Sequence, residues 1–227
     1  MGNATGDYIT FLTTSQKIYD KIKGADLDVP PGSNILVMGD IFSGKDVLAR
    51  SFLREGLKQK ETCIMVTLND TADKILEDMD VSEGESLYIV DCISSRFGPT
   101  SLPSENVFFI DNPMNLAHIM VMVEDLIERG GEGGVRLVID SVSTLIMYSQ
   151  IRVVFKFLHM LTAKVRSTGA VGLMLLEDNV HDEMEVRTIQ PLFNGTIHLG
   201  NNRLKIAGLT RLEGSYRVSD DHLILNP

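Results

Sequence analysis

The chain has 227 residues, a hydrophobic content of 44% and a formal net charge of −10. This length suits one domain with a sizeable core, and the composition is that of an ordinary globular protein. The negative charge argues against general nucleic-acid binding, which normally needs a basic surface. Because no apolar run approaches the roughly 20 residues of a membrane helix and no signal peptide is visible, we expect a cytoplasmic protein without membrane insertion.

The first part of the chain predicts a helix and then a buried strand. Apolar residues between positions 7 and 23 have a loosely helical spacing, so residues 1–23 are expected to form a helical extension. A turn with two adjacent prolines follows at 29–33. It leads into Ile35–Met38, a short apolar run that suits a buried strand.

A glycine-rich segment follows this strand, and a helical pattern follows the segment. Its residues 39–46 read GDIFSGKD. Strand, glycine-rich loop and helix in this order are the setting of a phosphate-binding loop, in which backbone N–H groups and a helix N-terminus face phosphate oxygens. Lys45 would add a point charge for the outer phosphates. The predicted nucleotide-binding residues are Gly39, Asp40, Ile41, Phe42, Ser43, Gly44, Lys45, Asp46 and Val47.

The motif departs from G-x-x-x-x-G-K-[S/T] at its last position. Asp46 stands where a hydroxyl group normally binds Mg²⁺, and Asp40 adds a second carboxylate to the loop. Carboxylates are ordinary Mg²⁺ ligands, so Asp46 is a candidate metal ligand. The alternative is an ordinary turn between a strand and a helix, with Asp46 favourably placed in the first helical turn.

Strands and helices alternate along the chain as far as residue 176. Strands are predicted at 62–68, 86–92, 107–110, 135–141 and 170–176. Helices are predicted at 47–57, 75–79, 114–129 and 151–166. The C-terminal residues instead form short strands separated by turns, which predicts antiparallel hairpins. The pattern as a whole predicts an α/β fold, with a mostly parallel sheet flanked by helices, C-terminal antiparallel β-hairpins and one domain over 1–227.

Ligands bind such a sheet at the carboxyl ends of its strands. Lys45, Asp70 and Asp140 each follow a predicted strand, so we expect them to converge at that edge. An apolar run that ends in Asp is typical of a strand whose carboxylate reaches Mg²⁺ through water, which makes Asp140 the second candidate metal ligand. The hydroxyl residues that follow either sense a γ-phosphate or cap the next helix: Ser141, Ser143 and Thr144.

The order of these parts resembles the RecA superfamily and, within it, the KaiC-like ATPases, a group common in archaea that includes the FlaH-related proteins. The resemblance extends from about residue 24 to residue 227. GDIFSGKD is similar to the Walker A motif of that group, RLVIDSVSTL to its Walker B motif, and 203–206 with 214–216 to its closing hairpins. The resemblance implies a RecA-like fold, ATP or ADP with Mg²⁺ as ligands, and a homo-oligomer that in this group is a hexamer.

Three functional features of that group are altered in this sequence: the water-activating acids, the hydroxyl after the loop lysine and the K-x-R pair. KaiC-like ATPases usually carry two adjacent glutamates after the second strand, which activate the attacking water; the matching residues are Asn69 and Asp70. An amide cannot act as a general base and Asp is one methylene shorter than Glu, so Asp70 is the one candidate catalytic residue. Asp46 replaces a hydroxyl, and of a K-x-R pair that reaches a neighbour's nucleotide only Arg211 remains. The motifs therefore look degenerate.

Four functions stay open at this point. The leading prediction is a nucleotide-binding regulator with little or no hydrolysis, acting with a protein partner in signalling or motility. The alternatives are a slow Mg²⁺-dependent ATPase that uses Asp70 as its base, and a scaffold that binds no nucleotide. A DNA-binding filament is disfavoured because residues 177–187, which would face DNA in a recombinase, contain several acids and a single Arg.

Overall fold

We describe a computed structural model of the chain, which covers residues 7–8, 29–80, 86–96, 105–209, 211–219 and 222–226. Its strands are β1 (Asp7–Tyr8), β2 (Asn34–Gly39), β3 (Thr62–Thr67), β4 (Leu87–Asp91), β5 (Val107–Phe109), β6 (Val135–Asp140), β7 (Val171–Glu177), β8 (Gly195–Gly200), β9 (Arg203–Ala207), β10 (Leu212–Val218) and β11 (Leu223–Asn226). Its α-helices are α1 (Lys45–Lys58), α2 (Ala72–Met79), α3 (Leu116–Arg129), α4 (Val142–Tyr148), α5 (Ile151–Thr168) and α6 (Glu183–Ile189).

These strands form one sheet in the order β1-β11-β10-β9-β8-β2-β7-β6-β3-β4-β5. The seven strands from β8 to β5 in this order are parallel to one another. The remaining four at the other end pair in antiparallel fashion. The predicted α/β fold, a mostly parallel sheet with C-terminal antiparallel strands, is therefore confirmed.

Helices cover both faces of the sheet. Side chains of α1 and α2, such as Phe52 and Ile75, share one buried cluster with the sheet. Side chains of α3 and α5, such as Ile119 and Leu158, share the cluster on the other face. Because both faces are covered, the central strands are nearly continuous apolar runs, which is why the sequence predicts them well.

A buried charge interrupts the apolar pattern of the central strand β6. Arg136 is fully buried, and its Nε donates to the Glu61 carboxylate at the start of β3. Its Nη1 donates to the backbone oxygen of Phe52 at 2.9 Å. Gly56 of α1 leaves room for this side chain, since a Cβ there would lie 2.6 Å from Arg136 Cδ. The glycine that interrupts the helical pattern of α1 is therefore a packing requirement.

The structure differs from the sequence-based expectations at the N-terminus and after β6. Asp7 and Tyr8 form a strand that pairs with Leu225 and Ile224 of β11, whereas a helix was predicted there; the rest of the predicted extension lies outside the described residues. The seven-residue helix α4 lies in a segment for which the sequence predicts no helix bounds.

Among the described residues, no helix combines the length and apolar character needed to cross a membrane.

Candidate functional site

The glycine-rich loop joins β2 to α1 in a conformation that two glycines make accessible. Gly39 ends β2, and a Cβ there would lie 2.6 Å from the backbone oxygen of Leu199 on β8. Gly44 is the residue before α1 and has a φ of 83°, in the left-handed region that favours glycine. The loop therefore turns back on itself directly before the N-terminus of α1, as predicted from the strand, loop and helix pattern.

The C-terminal strands hold this loop from outside. Tyr216 of β10 donates a hydrogen bond from its hydroxyl to the backbone oxygen of Ser43 at 2.8 Å. A Cβ on Gly44 would lie 2.7 Å from Val218 of β10 and 2.9 Å from Leu223 of β11. The sequence predicts that these strands form an antiparallel edge of the sheet, and it gives no sign that they contact the loop.

The loop lysine is buried and already has partners. Lys45 is 4% exposed, and its Nζ donates to the backbone oxygen of Asp40 at 3.0 Å. The same nitrogen lies 2.9 Å from Oε2 of Glu177, the last residue of β7. Glu177 pairs in register with Gly39 of the neighbouring strand β2, so the two strand ends bring the carboxylate to the loop. In the sequence, Glu177 is recognisable only as part of an acid-rich segment.

The carboxylate at the end of β6 lies in a polar network beside the loop. Asn69, which follows β3, donates from Nδ2 to Oδ1 of Asp140 at 3.0 Å. Its Oδ1 in turn accepts a hydrogen bond from the hydroxyl of Thr144 at 2.5 Å. Burial, together with the neighbouring carboxylate of Asp70, raises the pKa of Asp140 to about 6. Asn69 thus bridges Asp140 to the first turn of α4.

Lys45, Asp46 and Asp70 lie close enough to Asp140 to alter its pKa, as the expected convergence requires. The other two carboxylates each have a cationic partner one helical turn along the chain. Asp70 accepts a hydrogen bond from Lys74 Nζ at 2.6 Å, and Asp46 accepts one from Arg50 at 2.8 Å. Both acids are half-exposed. The structure therefore brings together one lysine and three carboxylates at the carboxyl ends of β2, β3 and β6.

The remaining predicted loop residues divide into buried and exposed ones. Ser43 and Val47 are buried, and Ser43 Oγ has no hydrogen-bond partner within the described part of the chain. Ile41 and Phe42 are 67% and 95% exposed at the tip of the loop. Asp40 is exposed as well. The loop thus exposes two apolar side chains to solvent at the same time as it buries its lysine.

Two of the hydroxyl residues after Asp140 form hydrogen bonds that stabilise the local structure. Ser141 is the N-cap residue of α4, and its side chain accepts a hydrogen bond from the backbone N–H of Thr144 at 3.3 Å. Ser143 Oγ accepts a hydrogen bond from the backbone N–H of Glu177 at 2.7 Å. The capping alternative therefore holds for Ser141, and Ser143 fixes the end of β7.

A cavity of about 530 Å³ opens beside the loop, between the segment after β7 and the turn from β8 to β9. Its lining includes Phe42 and Ser43 from the loop, Glu177 from β7, Asn201 from the turn and Tyr216 from β10. This volume lies within the range of small-molecule sites, roughly 300 to 1,000 Å³. Glu177 therefore stands between the buried lysine and an open cavity.

The acids of the site do not form a complete metal cage. No group of three or more His, Cys, Asp or Glu side chains able to hold a metal ion occurs in the part of the chain that the structure describes. Mg²⁺ usually keeps several waters and takes one or two carboxylates together with phosphate oxygens. Asp46 is paired with Arg50 and Asp140 accepts a hydrogen bond from Asn69, so a role for these two acids as Mg²⁺ ligands beside a phosphate stays a prediction.

The sheet order and flanking helices are those of a RecA-type α/β fold. A crystal structure of a KaiC-like protein from the hyperthermophilic archaeon Pyrococcus horikoshii OT3 has this fold, with a TM-score of 0.63 and 17% sequence identity. The match covers 87% of the present chain and 91% of the archaeal one. A family model matches residues 32–199, so the chain belongs to a family of unknown function, DUF7504. No curated protein matched its sequence.

Proposed function

We propose that this chain binds ATP or ADP together with Mg²⁺ at the loop formed by residues 39–47, and that it acts as a regulatory component with little or no hydrolysis. The observation that carries this proposal is the buried ammonium group of Lys45 at the N-terminus of α1, directly after the loop closed by Gly39 and Gly44. Backbone N–H groups and a helix N-terminus in such a loop bind phosphate oxygens. The likeness of the fold to a KaiC-like protein supports the proposal.

The roles of the site residues follow from their positions. Lys45 would bind the outer phosphates, and Ser43 Oγ, which is buried without a partner in the described residues, is available to a phosphate oxygen. Asp46 and Asp140 would bind Mg²⁺ directly or through water. A metal ion beside Asp140 would favour its ionised form and thus oppose the burial that raises its pKa.

Two contacts favour slow or absent hydrolysis. The Asn69 side chain is committed to Asp140 on one side and Thr144 on the other, and an amide cannot accept a proton from water. The Asp70 carboxylate forms a salt bridge with Lys74 of α2, so its oxygen is already engaged by that ammonium group. We therefore propose that the protein acts as a nucleotide-dependent switch. From the resemblance to KaiC-like proteins we further propose a protein partner in signalling or motility and a homo-oligomeric, hexameric assembly.

Equilibrium binding of Mg-ATP to purified protein tests the proposal. The Lys45→Ala variant should bind at least about 100-fold more weakly, because each lost charge-assisted contact to phosphate costs about 1.5 to 3 kcal/mol and the loop loses its buried cation. Lys58→Ala is the matched control, since it removes the same charge from the exposed last turn of α1. Wild-type affinity in the Lys45 variant would contradict the proposal.

A slow Mg²⁺-dependent ATPase is the second candidate. It is favoured by one observation, the proximity of Asp70 to Asp140 at the end of β6. Steady-state measurement of phosphate release decides between the candidates. Turnover in the wild type that is lost in Asp70→Asn, with nucleotide binding intact, would establish the ATPase; no turnover above the rate of the Lys45→Ala protein would exclude it.

A further inference from the structure

The contact between Lys45 and Glu177 has a consequence for the affinity of the site. The Lys45 ammonium lies 2.9 Å from the Glu177 carboxylate and 3.0 Å from the backbone oxygen of Asp40, and the lysine side chain is 5% exposed. A negatively charged group of this chain therefore stands where an outer phosphate oxygen would meet the lysine. On the basis of the proposed function, we propose that Glu177 is a built-in competitor for phosphate, which must leave Lys45 before a nucleotide binds fully.

Electrostatics place the two anionic groups in competition for the lysine. A carboxylate and a phosphate that both contact one ammonium group lie within a few ångströms of each other. At that separation their repulsion is of the same order as the attraction of either group to the lysine. The desolvated position of the lysine strengthens both terms, because water screens the charges poorly there.

The surroundings of Glu177 allow its side chain to move away without a change in the fold. Its backbone is fixed, because its N–H donates to Ser143 Oγ at 2.7 Å and the residue pairs with Gly39 in the sheet. Its side chain is 22% exposed and lines the 530 Å³ cavity beside the loop. Rotation of the side chain into this cavity would release Lys45 while β7 stays in place.

The device would set the threshold at which the protein responds to nucleotide. Part of the binding free energy of the phosphates is used to separate Glu177 from Lys45, so the apparent affinity is lower than the loop alone would give. A partner or a neighbouring subunit that holds the Glu177 side chain in the cavity would raise the affinity for nucleotide. The reverse coupling follows from linkage, because nucleotide would then favour the conformation that such a partner binds.

The decisive experiment compares nucleotide binding by wild type and Glu177→Gln, a variant of nearly unchanged shape that lacks the charge. We expect Glu177→Gln to bind Mg-ATP and inorganic pyrophosphate about tenfold more tightly than wild type, since removal of a like charge next to the phosphate changes affinity by about one decade. Binding of adenosine, which has no phosphate, should be unchanged. In the Lys45→Ala background the same substitution should give a smaller gain in Mg-ATP affinity, because no contact between Lys45 and Glu177 then has to be broken.

Glu183→Gln is the matched control, because it removes one negative charge from an exposed pair with Arg187 on α6 and should leave all three affinities unchanged. Equal or weaker pyrophosphate binding by Glu177→Gln overturns the inference, and it leaves the proposed function standing if Lys45→Ala still abolishes binding. A gain of the same size for adenosine also overturns it. No binding of Mg-ATP or pyrophosphate by wild type or by Glu177→Gln overturns the inference and the proposed function together.

Discussion

Asp140 lies at the end of β6, with Asn69 as its hydrogen-bond donor and Asp70 as its charged neighbour. Its pKa of about 6 lies above the ordinary value of 3.8, so the folded protein binds more protons than the unfolded chain between these two values. Stability from this group is therefore fully present below about pH 4 and is lost as the pH rises through 6. At neutral pH the ionised carboxylate destabilises the fold.

Replacement of this carboxylate should consequently stabilise the protein at neutral pH. We expect Asp140→Asn to unfold at higher denaturant concentration than wild type at pH 7.5, by on the order of 1 kcal/mol, because the amide carries no charge and still accepts from Asn69. The difference should disappear near pH 4, where Asp140 is protonated. Urea denaturation at both pH values measures this. A variant that is less stable than wild type at pH 7.5 would contradict the account of the carboxylate cluster.

The residues of the candidate site are only partly predictable from the sequence. Lys45, Asp70 and Asp140 were expected to converge because they follow parallel strands, and they do. The ion pair between Lys45 and Glu177 was not expected, since its partners are far apart in the chain and meet only through the pairing of β2 with β7. An acid directly after a buried strand was the available signal, the same signal that identified Asp140.

Among the elements, the C-terminal antiparallel strands have a second role as a support for the loop. The Tyr216 hydroxyl reaches from β10 to the backbone oxygen of Ser43, and Val218 and Leu223 pack against Gly44. A conformational change of the loop on ligand binding would therefore be felt by β10 and β11. These contacts connect β10 and β11 directly to the proposed nucleotide site.

Removal of this support should weaken the fold locally. Tyr216→Phe keeps the packing of the ring and leaves the buried oxygen of Ser43 without its donor, which costs about 1 to 2 kcal/mol. We expect the midpoint of urea denaturation to fall by that amount, with hydrogen exchange accelerated in the loop. The exposed Tyr148 of α4 offers a control, since Tyr148→Phe should change neither measurement. Unchanged stability in Tyr216→Phe would show that the strands do not hold the loop.

The elements themselves were largely predictable, and the exceptions have physical causes. Strands buried on both faces are recognisable as apolar runs, and α3 and α5 have clear helical periodicity. The seven residues of α4 are too short for a periodic pattern to emerge. The strand at Asp7–Tyr8 exists through its pairing with β11, which no local pattern reveals.

At the scale of the whole molecule, the loop tip presents an apolar surface with no covering element in the described part of the chain. Ile41 and Phe42 are 67% and 95% exposed. Val180 and Val218, the latter packed against the Gly44 position, are about half exposed. Contiguous exposed apolar side chains are typical of surfaces at which proteins associate. This agrees with the proposed homo-oligomer, in which a neighbouring subunit would cover the loop.

Light scattering of the purified protein measures this assembly. We expect that saturating Mg-ATP shifts the 25.1 kDa chain to a species of six copies, about 150 kDa. The Lys45→Ala variant should not respond to the nucleotide. A monomer of unchanged mass with and without Mg-ATP would contradict the hexamer.

Nucleotide binding by the loop around Lys45 can be measured by a thermal melt of the whole protein with and without millimolar Mg-ATP. A ligand at about 100 times its Kd stabilises the folded state by roughly 2.7 kcal/mol, or about 5 to 10 °C in Tm for a domain of this size. We expect such a shift in wild type and in Lys58→Ala, and no shift in Lys45→Ala. An unchanged Tm in wild type, or an equal shift in Lys45→Ala, would contradict nucleotide binding by this loop.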